Sequence, residues 1–195
     1  MFKTVLNTAV ILMIALGGGA WLTWYAIHGS DQFGKVTIGG WTSYPQAGTP
    51  DADPYAKAQL ARDGSLSLGA AEGVVFFANK ASDGSLLSGD CSYRVSGNSP
   101  STRVWTMYPV GKDQVPVSIA DKSWPTSLHS QSILYEPSGG FSISIAASAR
   151  PDNWLAVPAK GNFLLAFTLY DSPVATNKGL VDTAFPIVTK VRCHG

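Results

Sequence analysis

Phe141-Ser142-Ile143-Ser144-Ile145 alternates strictly between apolar side chains and hydroxyls. Successive side chains of an extended chain point to opposite faces. The stretch therefore reads as a half-buried strand, with Phe141, Ile143 and Ile145 toward a core and the two serines away from it. Runs of the same kind occupy residues 73–80, 90–96, 103–110, 132–136, 162–170 and 185–192. Turn signals separate them at Asp83-Gly84, Gly97-Asn98, Ser138-Gly139-Gly140 and Gly161-Asn162. Short strands punctuated this regularly predict an all-β sandwich or jelly roll, with a closed barrel as the alternative.

Composition agrees. The chain has 195 residues, of which 14% are charged, with 20 glycines and 12 prolines, a balance that suits strands and turns better than helices. One short soluble helix is expected: Asp53 serves as N-cap, Pro54 fits the first turn, residues 55–62 follow, and Gly64 stops it. So short a helix needs a surface to pack on, and Tyr55, Ala58 and Leu60 or Ala61 are expected to pack on a sheet. The net charge of +1 provides no long-range field for polyanions and argues against nucleic acid as a partner.

Residues 4–29 contain no Asp, Glu, Lys or Arg, and they are numerous enough to cross roughly 30 Å of hydrocarbon as a helix. Lys3 precedes the stretch and Asp31 is the first charge after it, which places the N-terminus inside and the rest of the chain outside. Trp21, Trp24 and Tyr25 gather at the outer end, where amphipathic rings favour the headgroup layer. The competing reading is a cleaved signal peptide with Gly18-Gly19-Ala20 as the small-residue site. The apolar run continues past it to Ile27, which favours retention. The division expected is a cytoplasmic N-terminus at 1–3, a transmembrane anchor at 4–28, a tether and loop at 29–53 and a β-sandwich domain at 54–195. The lipid bilayer is then a partner through residues 4–28, at the inner (cytoplasmic) membrane, with the domain in the periplasm.

Cys91 shares a strand face with Tyr93 and Val95, and Cys193 shares one with Val191, so period-two geometry turns both sulfurs toward the core. In an oxidising compartment such a pair forms a disulfide, and a loop of about 100 residues would be closed at a gain of at most ~4.7 kcal/mol. The alternative is two reduced core thiols. No C-x-x-C or His/Cys cluster is present, so no metal is expected.

Familiar catalytic patterns are missing. Residues 29–35 match phosphate-loop spacing, but Val36 stands where the hydroxyl belongs and a membrane helix stands where the strand belongs. His28 lies at the membrane boundary and His194 is next to last. His129 remains as a candidate base, most simply an exposed loop residue, with no G-x-S-x-G or S-x-x-K beside it. Asp63, Asp83, Asp90 and Asp171 sit at turns, where such side chains bond local backbone. Asp51 and Asp53 are too few for a calcium loop. No cofactor is expected. Among the tryptophans, Trp105 reads as core and Trp124, before Pro125 in a polar loop, as a ring available for stacking on a sugar or a partner.

The ordered set Asp53-Pro54-Tyr55-x-x-Ala58, Arg62-x-Gly64, Glu72-Gly73-x-x-Phe76, Asp83-Gly84-x-x-Leu87-x-Gly89, Tyr93, Arg103-x-Trp105-Thr106, Asn153-Trp154-Leu155 and Leu169-Tyr170-Asp171 resembles the domain-of-unknown-function 1214 family. One departure is Ala156-Val157-Pro158, where the family commonly has Pro directly after Asn-Trp-Leu. The resemblance implies a jelly-roll-like β-sandwich. It also implies pairing with a separate membrane-anchored protein of the 1254 type, because longer relatives carry that second domain in one chain. It carries over no catalytic residues. The expected function is a non-catalytic envelope subunit. The alternative is a carbohydrate-binding or glycan-processing domain with a groove holding Trp124 or Trp154 beside a carboxylate pair. The candidate contact residues are Trp124, Trp154, Arg103 and Asn153.

Overall fold

The computed structural model describes residues 2–29, 35–54, 57, 58, 61, 68, 69, 72–119, 121–173 and 184–193. Helix α1 (Phe2–Gly29) contains the apolar stretch, with a mean hydropathy of 1.9 and 0% of that window buried inside the molecule. Its length and apolarity suit a bilayer crossing, and a signal sequence has the same properties. Trp21 and Tyr25, one turn apart, stack with ring centroids 5.7 Å apart.

Among the described residues ten strands form two sheets. They are β1 (Val36–Ile38), β2 (Trp41–Ser43), β3 (Gly73–Ala78), β4 (Cys91–Gly97), β5 (Val104–Val110), β6 (Leu128–His129), β7 (Phe141–Ala146), β8 (Trp154–Ala156), β9 (Leu164–Tyr170) and β10 (Ile187–Cys193). One sheet has the order β1-β2-β3-β9-β5-β6 and the other β10-β4-β7-β8. All pairings are antiparallel except β7 with β8. Period-two alternation puts one face of each sheet inside. Phe141, Ile143 and Ile145 are buried as their spacing requires, and Ser142 and Ser144 stay partly exposed.

A row of rings welds the sheets together. Trp41 lies 5.4 Å from Phe167, Phe167 lies 5.4 Å from Trp105, and Trp105 lies 4.9 Å from Phe141 on the opposite sheet. All four are at most 1% exposed. Each contributes about 1.5–3 kcal/mol by burial. The Trp41 indole also donates to the Pro186 carbonyl at 2.6 Å, which ties the six-stranded sheet to the segment entering β10.

The sheet begins earlier than residue 54. Strands β1 and β2 lie inside the stretch 29–53 read as tether and loop, joined by a two-residue Gly39-Gly40 turn with Gly39 at φ 58°. Three-residue strands carry too little periodicity to be read from sequence. Residues 30–34 of that stretch lie outside the described residues. Of the expected helix, Lys57 N–H bonds the Asp53 carbonyl at 3.1 Å, as the N-cap reading requires. Tyr55, Leu60, Arg62 and Gly64 lie outside the described residues. Ala58 and Ala61 are exposed rather than packed on a sheet.

Residues 132–136 do not form a strand. Only Tyr135 bridges, to Phe141, and Glu136 N–H bonds the Gly140 carbonyl at 2.8 Å in a tight turn. Ile133 packs into the core while Leu134 and Tyr135 are exposed, so the run that looks like a core strand buries one side chain only.

Cys91 and Cys193 are disulfide-bonded across 102 residues. The pairing was expected, but the face assignment behind it is corrected. Val191 is 55% exposed. The ladder between β10 and β4 shifts register between Lys190 and Arg192, and this bulge brings Cys193 opposite Cys91. Without the extra residue, Arg192 would fall there. Gly89 has a packing role: a Cβ there would collide with the carbonyl oxygen of Pro158, and its N–H bonds the Gly161 carbonyl at 2.9 Å.

Replacing Cys193 with Ser should lower stability by about 3–4.7 kcal/mol on the chain-entropy scale, measured by urea unfolding of the full chain in detergent. An unchanged midpoint would show that the β10–β4 ladder holds β10 in place without the bond.

Candidate functional site

Where β4 ends and β5 begins, the loops leave a polar cleft of about 570 Å³, with Asn98, Thr102, Arg103, Gln131 and Tyr135 in its walls. Thr102 fixes one wall by donating its hydroxyl to the Tyr170 carbonyl at 2.6 Å, with the Val104 carbonyl 3.0 Å away. The following residue, Arg103, projects at the rim with Nε 3.5 Å from the Asp171 carboxylate. Both side chains are largely exposed, so this pair contributes at most about 1 kcal/mol. The opposite wall hangs from β5. Ser130 N–H bonds the Trp105 carbonyl at 3.0 Å, and the Tyr135 hydroxyl donates to the Ser130 carbonyl at 2.8 Å. Burial pushes the Tyr135 phenol up from its usual range.

This cleft supplies one guanidinium, hydroxyls and amides. It has no nucleophile–base pair. His129 is exposed on β6 rather than in a loop, opposite Thr106, and its N–H bonds Ser132 Oγ at 3.3 Å. No group of three or more potential metal ligands occurs among the described residues.

The four candidate contact residues fall in three places. Arg103 lines the cleft. Trp124 and Trp154 come together elsewhere, edge to face, with ring centroids 5.2 Å apart. Trp154 Nε1 donates to the Ala146 carbonyl at 3.0 Å, and Ala156 N–H bonds the Pro125 carbonyl at 2.9 Å, so the loop carrying Trp124 is laced to the edge strand β8. Both rings are half-buried. The loop is held by Asp121, whose carboxylate accepts from Ser123 Oγ at 2.7 Å and Ser123 N–H at 2.9 Å. Those bonds, the hydroxyl's first, draw the Asp121 carboxyl below its ordinary range.

Asn153 is internal. Its Oδ1 accepts from Leu134 N–H at 2.7 Å, and its Nδ2 donates to the carbonyls of Leu134 at 2.7 Å and Ser142 at 3.0 Å. The amide stands in for a strand's peptide, serving backbone that the irregular stretch 132–136 leaves without a ladder. The cleft residues Asn98, Gln131 and Tyr135 escaped the sequence reading. They come from separate loops, and no local spacing marks them.

Fold and site together define a two-sheet β-sandwich with an apolar N-terminal helix and no recognisable catalytic constellation among its described residues. The family profile described as a protein of unknown function (DUF1214) matches residues 72–174, more than half of the chain, and the chain belongs to that family. The crystal structure of the VPA0106 protein from Vibrio parahaemolyticus is similar at 21% identity, with a TM-score of 0.58 over 73% of this chain and 36% of that one. The chain thus spans about a third of the length of that relative, and the likeness is one of fold. An uncharacterised protein from Burkholderia cenocepacia matches at 15% identity and TM-score 0.42 over 74% of this chain and 44% of that one, too low to speak for the fold. No curated protein matches. Several residues that carried the resemblance have structural duties here. Phe76, Leu87, Tyr93 and Trp105 are core, Gly73 lies against Leu169 backbone, and Asn153 braces Leu134.

Asn153→Ala should cost about 2–4 kcal/mol, because it strands the peptide groups of Leu134, and thermal or urea unfolding will read it. An NMR titration should place the Asp121 midpoint below the ordinary carboxylate value, and Ser123→Ala should raise it. The folded value is the depressed one, so the turn's contribution is complete above the unfolded carboxylate range and disappears as pH falls through the folded midpoint.

Proposed function

We propose that this chain is a non-catalytic envelope subunit. Helix α1 holds a jelly-roll-like sandwich at the outer face of the inner membrane, and the sandwich pairs there with a second anchored protein of the 1254 type. The observation that carries the reading is α1 itself, an apolar helix of 28 residues with none of its spanning window packed against the molecule. A helix apolar all round finds its partner in lipid. Lys3 on one side and Asp31 as the first charge on the other orient it with the N-terminus inside. The disulfide fits an oxidising compartment. The match takes up 36% of the longer Vibrio chain, which leaves room in that relative for a second domain.

The full chain should stay in the membrane pellet through alkaline carbonate extraction, retain its first residues on N-terminal sequencing, and bring down one stoichiometric membrane protein after mild detergent extraction. A soluble product shortened by about twenty residues would refute the anchor. A clean monomer from solubilised membranes would refute the pairing.

A further inference from the structure

Charge is divided unevenly between the two sheets. Strands β1, β2, β3, β5, β6 and β9 contain no Asp, Glu, Lys or Arg, while β4, β7, β8 and β10 contain no Asp or Glu and carry Arg94, Lys190 and Arg192. Register decides which face these cations occupy. Thr189 pairs with Arg94, Arg94 with Ser144, and Ser144 with Trp154, so the four residues form one row across all four strands. At a strand spacing of about 4.8 Å the row is about 14 Å long. A neighbouring row holds Ile187, Ser96 and Ser142, and Arg192 stands opposite Ser92.

This is the solvent side of the sandwich. Tyr93 and Val95 are buried on the other face of β4, whereas Arg94, Thr189 and Arg192 are exposed. Neither arginine has an ion-pair partner among the described residues. The nearest acid along β4, Asp90, is turned back to Ser88, with its Oδ2 2.9 Å from Ser88 Oγ. Lys190 takes the opposite face, in register with Tyr93.

We propose that the outer face of the β10-β4-β7-β8 sheet binds an acidic polysaccharide chain, with Arg94 and Arg192 taking its carboxylates, the serine and threonine hydroxyls its sugar hydroxyls, and Trp154 one ring face. Charge complementarity selects the occupant. Two guanidinium groups without ion-pair partners among the described residues, on strands that contain no carboxylate, suit planar, bidentate anion recognition, and the accessible hydroxyls of Thr189, Ser96, Ser142 and Ser144 beside them suit a hydroxylated chain lying across the strands. Trp154, backed by Trp124, ends the row with an aromatic surface whose position is set by the Ala146 bond. A single-stranded nucleic acid would want several stacking rings along a basic groove, and this face has its rings at one edge only.

The test uses the full chain in phosphatidylcholine nanodiscs, titrated calorimetrically with oligogalacturonate and, separately, with a neutral malto-oligosaccharide of equal length. Oligogalacturonate should bind and weaken as salt rises, and the neutral sugar should not bind measurably. Arg94→Gln and Arg192→Gln should each reduce affinity about tenfold without moving the unfolding midpoint, the loss expected for one charge-assisted hydrogen bond. Lys190→Gln, on the other face, should change nothing. Equal binding of both sugars, no binding of either, or full affinity in Arg94→Gln would each overturn the proposal. So would capture by phosphatidylserine vesicles that Arg94→Gln abolishes while oligogalacturonate fails to bind, because the face would then be a lipid surface.

Discussion

The stack of Trp41, Phe167, Trp105 and Phe141 is the contact on which the rest of the sandwich depends. These rings come from β2, β9, β5 and β7, so a single run of edge and tilted contacts spans both sheets. Large buried rings with few rotatable bonds fix the distance and angle between sheets more tightly than aliphatic side chains can. Once the sheets are set, the outward faces are set as well, because alternation leaves each strand no choice about its second face.

Around that seam, the structure's main problem is leftover backbone. Edge strands and irregular segments carry peptide groups that no ladder serves, and burying them unpaired costs free energy. The chain answers with side chains and local distortions. Asn153 serves Leu134, Thr102 serves Tyr170, Trp41 serves Pro186, and a bulge in β10 brings Cys193 to Cys91. Of these only Asn153 belongs to the ordered set that resembles the family, and Phe76, Leu87, Tyr93 and Trp105 of that set serve the core instead.

The two faces outside the core differ in kind. The strands of the six-stranded sheet contain no Asp, Glu, Lys or Arg, and the four-stranded sheet presents arginine and hydroxyls.

Sequence alone determined the all-β class, the six longer strands, the turns at Gly84, Gly139 and Gly161 and the apolar span, because each is written in local periodicity or backbone preference, whereas the cysteine pairing it favoured is realised through a bulge that periodicity does not show. It misread residues 132–136 as a strand and passed over β1, β2, β6 and β8, since two or three residues hold no period and exposure depends on what lies across the core. It named Trp124 and Trp154 singly; only the bond from Ala156 N–H of β8 to the Pro125 carbonyl of the loop brought them together. Arg94 was visible as an alternating residue on a strand, yet its row with Thr189, Ser144 and Trp154 exists only through the register of three pairings. Periodicity assigns a side chain to a face, but which residues become neighbours on that face is fixed by hydrogen bonds between strands far apart in the chain, and those form only when the sandwich closes.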